Sequence, residues 1–151
     1  MSPGELDREV VGRRLRLLHQ TLADLRPLGQ LGVTVLREDH VRRAAVERFI
    51  QVLVDLAADV NAHIVVAHLG MAPTTTAESF RLAAQVGAFP VELAERLIPV
   101  AGLRNLLVHR YGDIDVGLLS KAVAQVLAGF DDYVGSVARW IKDGPTGDRP
   151  W

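Results

Sequence analysis

The chain has no cysteine, so it can hold no disulfide and no thiolate metal site, and it has no cysteine nucleophile. It lacks an uninterrupted apolar run of the length that spans a bilayer. Its first residues, MSPGELDREV, mix acids with arginine and show no apolar core of a secretory signal. The expected compartment is therefore the cytoplasm. A large charge excess is also missing: the formal net charge is −1, so the whole molecule is no electrostatic trap for nucleic acid. RNA would have to meet local basic patches, and two exist, at Arg13, Arg14 and Arg16 and at Arg42, Arg43 and Arg48. Clusters this small are ordinarily solvated helix faces. Repeats and low-complexity linkers are absent too.

What is present is a soluble, mixed composition, 49% hydrophobic and 23% charged over 151 residues, enough for one domain with a core of its own. Val11, Leu15, Leu18, Leu22 and Leu25 recur in steps of four and three, which predicts a helix from about Glu5 to Arg26. Pro27, Gly29 and Gly32 end it. A long second helix is expected from Glu38 or Asp39 to Leu69, with two apolar stripes that imply cover on more than one side. Thr75 and Glu78 have the spacing of a capping box for a short third helix ending at Gly87. Pro90 suits the first position of a fourth, inside which Pro99 predicts a kink or short break. A last helix follows from Asp113 or Asp115, with Val116, Leu119, Val123, Val126, Phe130, Val134, Val137 and Ile141 in phase. The one β-like run, GVTVL at 32–36, is too short to sustain a sheet. The reading is all-α: an up-and-down bundle of about five helices in a single domain over 1–142, with a flexible tail over 143–151.

The candidate chemistry lies in LRNLLVHRYGD, residues 103–113. On a helical wheel, Arg104, Asn105, Val108 and His109 share one side, and Leu103, Leu106 and Leu107 take the other. A serine hydrolase is not supported, because there is no G-x-S-x-G. His63 and His68 stand five apart with no HExxH, which argues against a metal site. General acid–base chemistry on a phosphodiester fits better. A histidine titrates near pH ~6.5, and an arginine offers a planar fork to phosphate oxygens. Attack by the RNA's own 2′-hydroxyl needs neither metal nor cofactor. One histidine cannot easily serve both sides of one phosphorus, so a symmetric dimer with two Arg104/His109 sets is expected. On spacing alone, a solvated helix end is the plainer reading of Arg104 and His109.

RNLLVHRY resembles the R-x4-H-x-Y signature of HepT-like ribonuclease toxins of the HEPN superfamily. AAVERFIQVLVDLAADVNAHI is similar to that family's long helix, with Asp55 or Asp59 at its recurrent acidic positions, and the segments from TTTAESF through GLRNLLVHRYGDID follow in the family's order. The resemblance implies a metal-independent endoribonuclease that works as a homodimer, with Arg104 and His109 catalytic and Asn105 supporting them. It also implies a type VII-like toxin–antitoxin pair, in which an MntA-like nucleotidyltransferase antitoxin silences the toxin by adenylylating Tyr111. The alternative with the same fold is a non-catalytic helical partner of a nucleotidyltransferase.

Overall fold

A computed structural model of the chain describes residues 6–109 and 115–143, apart from the side chain of His109. Six α-helices account for most of them: α1 (Arg8–Leu25), α2 (Val33–Glu38), α3 (His40–Leu69), α4 (Thr76–Gln85), α5 (Val91–His109) and α6 (Val116–Asp143), with a 3₁₀ turn at Leu28–Gln30. No strand occurs among the described residues. The helix beyond the expected five is α2, built from the β-like GVTVL run. With no strand to pair with, the run coils after Gly32 and drives Leu36 into the core. The expected tail after Asp143 and the N-terminal residues before Leu6 lie outside the described residues.

The caps explain the boundaries. Asp7 accepts from the Val10 amide at 3.0 Å and starts α1. Asp39 accepts from Val41 and Arg42 at 3.1 and 3.0 Å, so the choice between Glu38 and Asp39 falls on Asp39. Thr75 accepts from Glu78 at 3.0 Å, and the Glu78 carboxylate reaches back to the Thr74 amide at 3.0 Å, one residue earlier than a standard capping box. Asp115 receives the amides of Gly117 and Leu118 at 2.8 and 3.2 Å and caps α6; Asp113 is outside the described residues. Gly70 closes α3 in the left-handed region, φ 68°, which a side chain would resist.

α5 runs on through Pro99, so of the expected kink or short break the break does not form. The proline removes one amide from the ladder, leaving the carbonyl of Glu95 unmatched. Both Glu95 and Pro99 are exposed, and water can satisfy that carbonyl.

Side-chain pairings fix the helix directions. Tyr133 of α6 meets Ala57 and Asn61 of α3, and farther along both helices Trp140 lies over His68 at 5.0 Å; α3 and α6 therefore run the same way. Arg96 bonds Asp132 at 3.1 Å, while Pro90 and Leu93 share a cleft with Ser136 and Arg139, so α5 runs against both. The close approach of α5 and α6 depends on Gly129, where a Cβ would stand 2.7 Å from Leu97 Cδ2. Arg26 grips Asp131 at 3.1–3.2 Å and ties the end of α1 to α6.

Aliphatic residues of all six helices fill the core, around Phe80, Phe89, Phe130 and Tyr133. One polar chain crosses it. The Tyr133 hydroxyl donates to Asn61 Oδ1 at 2.7 Å, Asn61 Nδ2 donates to Ser79 Oγ at 3.3 Å, and Ser79 donates to the Thr76 carbonyl at 2.6 Å. All three side chains are buried, so the chain ties α3, α4 and α6 in one relative position. Burial also pushes the Tyr133 hydroxyl well above the usual tyrosine range.

α3 is long and apolar enough to cross a bilayer by length and composition, with mean hydropathy 1.6 over an 18-residue window. No single apolar run had suggested this, because Asp55, Asp59 and Asn61 interrupt it. In the fold it is the central helix of the bundle.

Candidate functional site

Arg104 comes from α5 where that helix crosses α3. Its NH2 donates to Asp55 Oδ2 at 3.2 Å, and its Nε lies 3.0 Å from Oδ1. The Nε atom is buried and its proton is not aligned with any acceptor. The Arg104 side chain is 28% exposed and that of Asp55 52%. The guanidinium is thus held along its Nε–NH2 edge at the margin of the core, with the side chain partly exposed.

The sequence left Asp55 and Asp59 level, and the structure separates them. Asp59, one turn on, engages Arg14 of α1 in a close ion pair and lies 3.9 Å from His63 Nε2. Asp55 alone of the two reaches Arg104. Only the antiparallel crossing of α5 over α3 decides this, and no local spacing carries it.

The helical wheel needs one correction. Leu103 and Leu107 are buried as expected, but Leu106 is 44% exposed. The core-facing arc of α5 is set by Leu97, Val100, Ala101, Leu103 and Leu107. Arg104 falls inside this arc, while Leu106 sits roughly 200° from Arg104 and faces outward. Arg104 therefore lies over apolar neighbours, which lowers the local dielectric and strengthens its hold on an anion. Asn105 is exposed beside it, and Val108 is half-buried.

His109 is the last residue of α5, about 7.5 Å along the axis from Arg104; its side chain is outside what is described. Tyr111 lies outside the described residues altogether. Asp55 and Arg104 are thus brought together, Asn105 follows Arg104 as an exposed residue of α5, and His109 is placed by its backbone alone. His63 and His68 are not brought together, since His68 Nδ1 turns to the Ile64 carbonyl at 3.0 Å and its ring packs on Trp140. Among the described residues, no group of three or more His, Cys, Asp or Glu gathers as metal ligands would.

The basic clusters are largely spent on pairing. Arg13 meets Glu9 at 3.4 Å and Arg42 meets Asp39 at 3.6 Å. Arg43 bonds the ring of His40 at 2.9 Å.

Comparison with known proteins adds a family. Residues 18–137 match the family model described as ribonuclease HepT-like. A tRNA nuclease HepT from Aphanizomenon flos-aquae (strain 2012/KM1/D3) is 26% identical over 132 residues, covering 87% of this chain and 90% of the relative. Among solved structures, the tri-AMPylated HEPN toxin of Shewanella oneidensis in complex with its MNT antitoxin superposes with TM-score 0.79. It is 18% identical, over 87% of this chain and 98% of that one. YutE of Bacillus subtilis, a cytosolic protein of unknown function, gives 0.77 at 15% identity over 91% and 92% of the two chains.

Proposed function

The chain belongs to the HepT-like ribonuclease family, and from that premise we propose that it is the toxin of a toxin–antitoxin pair, a cytoplasmic endoribonuclease that needs no metal. The observation that carries this reading is the Arg104 guanidinium, anchored on one edge by Asp55 in an R-x4-H-x-Y sequence. The free edge takes two oxygens of the scissile phosphate and offsets the charge that grows there in the transition state.

In a two-fold dimer, His109 of one copy removes the proton from the RNA 2′-hydroxyl. The oxygen attacks phosphorus, and the 5′-oxygen departs with a proton from the second copy's His109. The products are a 2′,3′-cyclic phosphate and a 5′-hydroxyl. Asn105, exposed next to Arg104, supports the same phosphate. The curated relative acts on tRNA, by its name, so tRNA is the first substrate to test.

The partner is an MntA-like nucleotidyltransferase antitoxin. It transfers AMP from ATP to the Tyr111 hydroxyl and releases pyrophosphate. The added phosphates then occupy the anion site at Arg104 and block RNA. AMPylation and antitoxin binding are properties of the Shewanella relative and support this reading by likeness.

RNA incubated in EDTA with wild type, Arg104→Ala and His109→Ala is the test. Cleavage by wild type alone, leaving 2′,3′-cyclic ends, is expected. An inert wild type that still gains AMP on the Tyr111 peptide, detected by mass spectrometry after incubation with antitoxin and ATP, would point instead to a non-catalytic partner of the nucleotidyltransferase.

A further inference from the structure

We infer that Arg48 is a second RNA-phosphate contact, so that a single strand crossing the Arg104–His109 site is held on both sides of the histidine. The inference rests on the ribonuclease reading for its substrate class. Its observations concern the basic cluster on α3 that the catalytic argument leaves unused. The structure divides that cluster. Arg42 turns to Asp39 and Arg43 to His40, whereas Arg48 is exposed and meets no carboxylate among the described residues.

Its position is specific. Arg48 and Asp55 are one heptad apart on α3, which puts them on nearly the same stripe, about 10.5 Å apart along the axis. Asp55 is neutralised by Arg104, and the stripe between holds only the uncharged Gln51 and Val52. α5 runs against α3, so from Arg104 its last five residues travel toward the Arg48 end, bringing His109 to a level between Asp55 and Arg48. The order along α3 is then a cation held by a carboxylate, the histidine-bearing helix end, and an open cation. The acid next to it on α3, Glu47, projects about 100° away around the helix. It is half-buried, with its carboxyl raised by desolvation and Arg43 as its charged neighbour.

An open guanidinium at that distance suits a neighbouring phosphate of the strand gripped by Arg104. Backbone contacts of this kind set register and carry no base preference. Arg48 is accordingly a substrate-positioning residue.

Fluorescence anisotropy with a labelled, unstructured oligoribonucleotide tests this, on a His109→Ala background across a KCl series. Adding Arg48→Gln should weaken binding about five- to tenfold and make the log–log salt slope shallower by ~0.7. Arg48→Lys should recover most of the affinity. Arg139→Gln, at an exposed position on the far end of α6, should change neither quantity. In cleavage by the otherwise native protein, Arg48→Gln should raise KM and leave kcat within about twofold. Unchanged affinity and slope, an equal loss in Arg139→Gln, or an altered oligomeric state in sedimentation would each overturn the inference. A wild type whose RNA affinity depends on Arg48 but which cuts nothing would sink the ribonuclease reading and leave the contact standing. A wild type that binds no RNA would sink both.

Discussion

Replacing Asp55 with alanine separates stability from function at the site. The pair it forms with Arg104 is 28% and 52% exposed and has one aligned hydrogen bond, at 3.2 Å. Half-solvated pairs of this kind contribute at most about 1 kcal/mol to folding. For a domain of this size, the melting temperature should fall by no more than ~4 °C. The effect on cleavage should be far larger. Asp55 is the only acceptor that holds the Arg104 guanidinium among the described residues; without it the fork samples rotamers that miss the phosphate. Misplacement of a catalytic group by about 1 Å costs on the order of a hundredfold, so a ten- to hundredfold loss in kcat/KM is expected. Asp55→Asn keeps one acceptor and should fall between the two. The assay is single-turnover RNA cleavage alongside calorimetry of the same samples, with Arg104→Ala as the floor. Wild-type cleavage by a folded Asp55→Ala protein would refute the argument. Faster cleavage would refute it differently, by showing that Asp55 competes with phosphate for the arginine.

Two further predictions concern the bundle itself. Tyr133→Phe removes the 2.7 Å bond to Asn61 Oδ1 in a fully buried place, and should cost about 1–2 kcal/mol in urea unfolding. Burial raises the folded Tyr133 pKa above its ordinary value near 10.0, so its contribution is fully present below pH ~10. Above that pH the unfolded chain releases this proton while the folded chain keeps it, and stability falls by about 1.4 kcal/mol per pH unit. Alkaline unfolding of Tyr133→Phe should lack that component; an unchanged slope would mean the hydroxyl is not sequestered. Gly129→Ala gains roughly 1 kcal/mol of helix propensity but drives a Cβ to 2.7 Å from buried Leu97, an overpacking cost of about 1–3 kcal/mol. A net loss near 1 kcal/mol is expected in thermal unfolding, and a stabilised variant would contradict the close α5–α6 approach.

Much of the molecule was legible along the chain because the signals were local. Asp39, Thr75 and Asp115 cap the turns beside them, and the three-four recurrence of Val11 to Leu25 buries the face it predicts. The R-x4-H-x-Y string needs no partner to be read. Misreadings came where a residue's fate depends on neighbours distant in sequence. GVTVL became α2 because the described residues hold no strand to pair with it. The short break allowed for at Pro99 did not form, because its helix face meets water. Leu106 turned outward because α3 and α6 bracket another arc of α5.

The amino-acid order alone thus determined five of the helices, most of their caps and the string that carries the proposed chemistry, since each rests on hydrogen bonds and apolar periodicity within a few turns. Packing alone decided that Asp55 and not Asp59 holds Arg104, and that Tyr133, Asn61 and Ser79 form one buried chain. Those contacts join residues from different helices or select among equivalent turns of one helix. Their distances exist only once the antiparallel crossing of α5 on α3, and the parallel run of α6 beside it, are in place.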